Sequence, residues 1–298
     1  MQIGVTFPQL EVGPGPDGVR AYAEGVEELG YRHLVTYEHV LGADHDRDDS
    51  RLEAWPKAAY DQHDQFHEPL TLFGYLAAIT AELELATGIL ILPQRQTALV
   101  AKQAAEVDLL SGGRMRLGVA LGWNQLEYEA LGVPWEKRGS RLSEQIAVLR
   151  ALWSEEVVDF EGDFHSLPKV GIKPLPERMI PIWTGANTPP AIRRAVRLAD
   201  GIICAVGGDH PSVGSWVEEV RKALDEADRD PATLALEGRV DVYDRGREEI
   251  AADVERWREL GATHLSVNTM TPAALRDQPS PIDRHLEMLQ EFRRLVPA

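Results

Sequence analysis

Leu83–Trp123 reads LELATGILILPQRQTALVAKQAAEVDLLSGGRMRLGVALGW, and the fold turns on it. Leu83–Leu92 is apolar nearly throughout, the pattern of a parallel strand buried on both faces. Thr97 is a good N-cap, and Val100, Ala104, Val107 and Leu110 repeat behind it at helical spacing. Gly112-Gly113 stops that helix, and Met115–Leu121 begins a second buried strand that runs into Gly122-Trp123. The stretch is a βαβ unit, and a ligand is expected beyond the C-terminal end of its strands.

Outward from this unit, strand and helix patterns alternate along the whole chain. Strands are predicted near Gln2–Phe7, His33–Tyr37, Leu83–Leu92, Met115–Leu121, Ile180–Thr184, Gly201–Ala205, Ala235–Asp241 and His264–Thr269. Helices are predicted over Asp17–Leu29, Pro69–Thr80, Thr97–Leu110, Leu142–Trp153, Pro190–Leu198, Ser212–Asp228, Glu248–Leu260 and Pro281–Leu295. That alternation predicts an α/β protein, a (β/α)₈ TIM barrel in one domain over residues 1–298. A doubly wound open sheet is the weaker alternative, because VTFPQLEVGPG after the first strand lacks the GxGxxG that would wrap a pyrophosphate. Three connections, Glu38–Glu68, Trp123–Arg141 and Glu155–Glu177, are longer than a barrel needs, and all follow strand ends. Long loops on that face are usually functional. DFEGDFHSLP in the third is expected to form a hairpin over the barrel mouth.

Composition narrows the function classes. With 298 residues, 44% of them hydrophobic, the chain can bury one large core. Its 48 acidic and 31 basic residues give a formal charge of −17, which disfavours nucleic acid and anionic membranes as partners. A phosphorylated cofactor stays compatible, since helix N-termini and backbone amides bind phosphate regardless of net charge. The lone Cys204 excludes an intrachain disulfide and reads as a small buried residue. MQIGVTFPQL enters a strand without a basic leader, and no apolar run reaches the length of a membrane span. A cytoplasmic protein acting on a small molecule is the expectation.

Several residues at strand ends invite chemistry. Gly88, within Thr87-Gly88-Ile89, marks either a bulge and close backbone approach or simple relief of crowding. His39 ends the second strand behind Glu38, placed for acid–base work or as a cap on the loop backbone. Gly122 admits a ligand to the backbone, while Trp123 offers an aromatic wall or packs under the next loop. Thr184-Gly185-Ala186-Asn187-Thr188 leads into a helix opening at Pro189-Pro190, where Asn187 or Thr188 can cap. The turn is an anion site or an ordinary capped start. Glu237 and Arg239 share one face of the seventh strand, more consistent with an ion pair filling the barrel than with a substrate contact. His45, His63 and His67 with Asp44, Asp46 and Asp61 match no metal-ligand spacing, so no metal is expected.

The TGILILP and LLSGGRMRLGVALGW runs and the Glu38-His39 pair resemble the bacterial luciferase-like flavin and deazaflavin oxidoreductases. Phe66–Thr80, Leu131–Trp153 and Ile180–Gly201 extend that resemblance over almost the whole chain. The blocks are most similar to the branch that uses the deazaflavin coenzyme F420. The resemblance implies a cis peptide joining Gly88 and Ile89, with the cofactor ring packed on the bulge around Thr87. It implies a proton-handling role for His39 beside the ring, Leu121, Gly122 and Trp123 along it, and the cofactor phosphate at Gly185–Thr188. Two departures are visible. Val40 stands where bacterial luciferases have a second histidine, and Leu121 stands where the flavin users have an arginine for the FMN phosphate. The implied function is hydride transfer between F420 and an organic substrate, in a homodimer. An FMN-dependent monooxygenase and a non-catalytic binder of flavin or deazaflavin are the competing readings.

Overall fold

Every strand of the main sheet except the short Leu90–Ile91 segment finds a parallel neighbour on both sides, so the sheet closes on itself. The computed structural model describes residues 1–44, 60–207, 212–272, 275 and 279–297. In chain order the strands of the main sheet are β1 (Gln2–Thr6), β2 (His33–Thr36), β3 (Glu84–Thr87), β4 (Leu90–Ile91), β5 (Met115–Ala120), β8 (Ile182–Gly185), β9 (Gly201–Gly207), β10 (Ala235–Asp241) and β11 (His264–Asn268). Their order is β3-β2-β1-β11-β10-β9-β8-β5-β4, and β3 also pairs with β5. That last pairing closes an eight-position parallel barrel, in which β3 and β4 are two halves of one strand.

The break between those halves is the main departure from the expected strand over Leu83–Leu92. The register runs Ala86↔Arg116, then Leu90↔Val119, so residues 87–89 face only residues 117 and 118. This extra residue is a β-bulge. The Gly88–Ile89 peptide inside it is cis. The bulge pushes the Thr87 carbonyl towards β5, where a Cβ on Gly118 would lie 1.9 Å from that oxygen. Only glycine fits opposite the bulge. The Thr87 hydroxyl donates to the Gly118 carbonyl at 2.6 Å and ties the two strands there.

Helices pack around the barrel as their apolar spacing predicts. They are α1 (Pro16–Glu28), α2 (Pro69–Ile79), α3 (Thr97–Leu110), α4 (Gln125–Ala130), α5 (Arg138–Ser154), α6 (Pro189–Leu198), α7 (Val213–Glu226), α8 (Arg247–Leu260) and α9 (Ile282–Leu295). The connection expected over Trp123–Arg141 contains a short helix, α4. Thr97 does not cap α3: Gln96 holds that position, and the Thr97 hydroxyl instead meets His165 Nε2 at 2.6 Å and accepts from Gln145 Nε2 at 3.0 Å. His165 belongs to the expected hairpin, β6 (Val158–Glu161) and β7 (Ser166–Val170), so this contact pins the hairpin to α3 and α5.

The barrel interior is not purely apolar. Arg116 and Glu237, each 2% exposed, pair at 2.6 Å, and Arg116 also reaches Glu84 at 2.5 Å. Glu237 accepts further bonds from the Ser266 hydroxyl and from His33 Nε2. Burial opposes ionisation of Glu237, but Arg116, His33 and Ser266 outweigh it and hold the carboxyl well below the usual range. The expected Glu237–Arg239 pair is therefore replaced. Arg239 instead pairs with Asp241 at 3.2 Å. No described helix is long and apolar enough to cross a membrane.

Candidate active site

A cavity of about 660 Å³ opens at the C-terminal ends of the strands. Its floor is the bulge: Gly88 and Ile89 line it, and Ile89, between the two halves of that barrel strand, is only half-buried. Leu121, Gly122 and Trp123 form one wall, and Gly185, Asn187 and Thr188 another. Glu38 and His39 complete the rim. Ten of the twelve site residues read from the sequence thus meet in one cavity. Thr87 and Ala186 do not line it. Thr87 is fully buried against β5, and Ala186 is buried with its carbonyl accepting from Trp216 Nε1 at 2.7 Å.

His39 is held by aromatic rings and one carboxylate. Its ring stacks on Tyr60, with centroids 3.8 Å apart and planes 25° apart, and meets the edges of Phe66 and Trp123. Its Nδ1 lies 3.0 Å from Glu127 Oε2. Among the described residues Nε2 has no hydrogen-bond partner. Glu38 turns away from the cavity centre. Its carboxylate takes the Ile91 N–H, just after the bulge, and pairs with Arg95, which also holds Glu68 at 2.8 Å. Burial pushes the Glu38 carboxyl up against the pull of Arg95. These bonds fix the end of β2, the start of the connection after β4, and the first turn of α2 relative to one another.

The anion turn is built differently from the expectation. Thr188 occupies the cap position of α6, but neither its side chain nor that of Asn187 caps the helix. Pro189 and Pro190 remove two of the N–H groups that the first turn would offer. Ala191 supplies what remains from the helix, and the loop amides of Asn187 and Thr188 would have to do the rest. Gly185 is outside the left-handed region, and a Cβ there would lie 3.1 Å from the Ile89 side chain. Gly122 has φ +65°, and a Cβ on it would meet Ile91 at 2.7 Å.

Glu127, Tyr60 and Asn124 escaped the sequence reading. Asn124 caps α4 by accepting from the Leu126 N–H, and its Nδ2 donates to the Tyr60 hydroxyl at 2.6 Å. An Asn followed three residues later by Glu is a helix-start signal, and it would have found α4. It would not have shown that Glu127 faces His39, 88 positions earlier. Of the expected metal-poor cluster, His45 and Asp46 lie outside the described residues, and no group able to hold a metal occurs among the described ones. Cys204 is buried in the cavity wall.

A closed parallel barrel with a bulged third strand and a histidine at the rim of its second defines a class. The chain matches the luciferase-like monooxygenase family over residues 2–290, and it belongs to that family. Among its relatives is an uncharacterized protein of Mycobacterium tuberculosis, 34% identical over 229 residues, 76% of this chain and 77% of that one. An F420-dependent glucose-6-phosphate dehydrogenase of Nakamurella multipartita is 32% identical over 260 residues, covering 83% of this chain and 69% of the relative. In fold the chain is similar to an F420-dependent secondary alcohol dehydrogenase solved with an F420–acetone adduct, with a TM-score of 0.79 at 17% identity over 100% and 99% of the two chains.

Proposed function

We propose that this protein is an F420-dependent oxidoreductase that moves a hydride between the deazaflavin and a small organic substrate. One observation carries the reading: the Gly88–Ile89 bulge and His39 border the same mostly apolar cavity, large enough for a planar ring system and a substrate together. The residues fit such a group. Ile89 presents an apolar floor, and Gly122 and Gly185 leave space that any Cβ would take. Thr6 Oγ1, at the cavity wall, is buried without a hydrogen-bond partner among the described residues, as a ligand's polar edge would require. The dehydrogenase relatives named for F420 support the choice of cofactor.

When bound, the deazaflavin supplies the hydride chemistry, and the chain supplies placement. Ile89 and the backbone of the bulge would support the ring from below. Trp123, itself braced against His39, would bound it from the side. Asn187 and the amides around it would hold the phosphate, and His39 Nε2 would give or take the substrate proton as hydride moves. Leu121 provides no charge for an FMN phosphate, which favours F420 over FMN. Side-by-side fluorescence titration of the protein with F420 and FMN tests the proposal. Tighter binding of F420 is expected; tighter binding of FMN, or FMN retained through purification, would turn the reading to a flavin-dependent monooxygenase.

A further inference from the structure

Glu127 is fully buried, yet its two carboxylate oxygens meet four hydrogen-bonding groups. The oxygens divide the work. Oε1 takes the backbone N–H groups of Val40 at 2.6 Å and Leu41 at 3.2 Å. Oε2 faces the His39 ring at 3.0 Å and the Tyr60 hydroxyl at 3.2 Å. A carboxylate with no exposed surface cannot meet a substrate, so its effect on chemistry must pass through the ring it touches. His39, with a side chain 13% exposed, borders the cavity.

We propose that Glu127 is the positioning residue for His39, fixing its neutral ring as the Nδ1–H tautomer and leaving the Nε2 lone pair for the cavity. A carboxylate oxygen only accepts, so a bond between it and neutral imidazole needs the proton on Nδ1. The Tyr60 hydroxyl does not compete as the acceptor: its ring stacks on His39 with no hydrogen bond between them, and the hydroxyl is engaged with Asn124 Nδ2, Glu127 Oε2 and the Leu41 carbonyl. Stacking on Tyr60 and edge contacts with Phe66 and Trp123 stop the ring from rotating out of this bond. The same carboxylate lies where an imidazolium formed during turnover would need a counter-charge. The inference rests on His39 as the proton carrier proposed above.

The division of labour makes Glu127→Gln a sharp test. The variant's amide oxygen is needed at the Oε1 position to keep the Val40 and Leu41 N–H groups. Its NH₂ is thereby left facing His39, where it can only donate. The ring must then hold its proton on Nε2. Two-bond ¹H–¹⁵N correlation spectra of ¹⁵N-histidine-labelled full-length protein separate the two tautomers, and the His39 signals are those lost in His39→Gln. The expected result is Nδ1–H in the parent and Nε2–H in Glu127→Gln, with the other eight of the nine histidines unmoved. Turnover should fall on the order of 10²-fold with F420 affinity retained. Neutral His39 with its proton on Nε2 in the parent protein would overturn the proposal, and so would an unchanged tautomer in a folded Glu127→Gln. The parent spectrum decides alone if the variant does not fold. Full turnover by His39→Ala would instead remove the proton-carrier reading and leave the tautomer result standing.

Discussion

His39 and Gly185 both line the cavity, and each can be altered without dismantling the barrel. His39 contributes one hydrogen bond and three ring contacts at the rim, none of them part of the sheet. His39→Ala should therefore slow turnover by about 10²–10⁴-fold, as loss of a general acid–base group does, while F420 affinity stays near the parental value. Steady-state kinetics beside a fluorescence titration separate the two effects, and parental turnover would exclude His39 as the proton carrier. Gly185 has no positive φ to lose, so a larger residue there meets a steric limit, not a backbone one. Gly185→Asp would push against Ile89 and set a negative charge beside the proposed phosphate turn. It should abolish F420 binding in a protein with parental circular dichroism and melting temperature. Undiminished affinity would move the phosphate elsewhere and leave the start of α6 an ordinary turn.

The bulge between β3 and β4 depends on its partner strand as much as on its own sequence. Thr87 and Gly118 face each other across β3 and β5, one carbonyl crowding forward and one Cβ missing. Gly118→Ala would demand that the strands separate or the bulge flatten, so it should destabilise the fold by about 1–3 kcal/mol, as overpacking does. It should also weaken F420 binding, since Ile89 would move with the bulge. Urea unfolding monitored by circular dichroism measures the first effect and titration the second; a change under about 0.5 kcal/mol, the range of an ordinary surface substitution, would show the contact to be relaxed. α4 is a second case of an element whose value lies in what it faces. It is only six residues long and too short to be stable alone, yet it carries Glu127 to the rim of β2.

The barrel as a whole closes around a charged interior, and that choice has a pH signature. His264 packs edge-on to Trp183, close to Arg116 and His33, and burial together with the Arg116 charge pushes it down to about 3. It is therefore neutral in the folded protein over most of the acid range, whereas in the unfolded chain it takes up a proton near pH 6.5. Protons bound only by the unfolded state favour unfolding, so stability is lost as pH falls below about 6.5 and levels off near 3 for this group. Burial also lowers His285, which adds in the same direction. Glu237, held low in the fold, loses its stabilising ionisation only in stronger acid. Urea midpoints measured from pH 7.5 to 4.5 should fall steadily, and His264→Asn should make that slope shallower. An identical slope in the variant would mean that His264 is protonated in the fold.

How much of this was legible in the chain follows from the range of each interaction. Local pattern set the alternation of strands and helices, the hairpin near DFEGDFHSLP and the glycines at the strand ends, because apolar period and turn chemistry act over a few residues. With the barrel geometry that this alternation imposes, residues as distant as His39, Gly88, Trp123 and Gly185 fall at one end, since every parallel strand points its C-terminus the same way. Gly88 itself was readable as an irregularity. That its bulge needs Gly118 was not, because the clash lies across the register between two strands and leaves no mark at either position alone. The same holds for Glu127, whose local sequence says nothing of His39, and for Arg116, a charge within a buried strand whose partners Glu84 and Glu237 come from other strands. Partners 88 and 121 positions apart are brought together only when the barrel closes, so charge pairing, tautomer and burial were decided there.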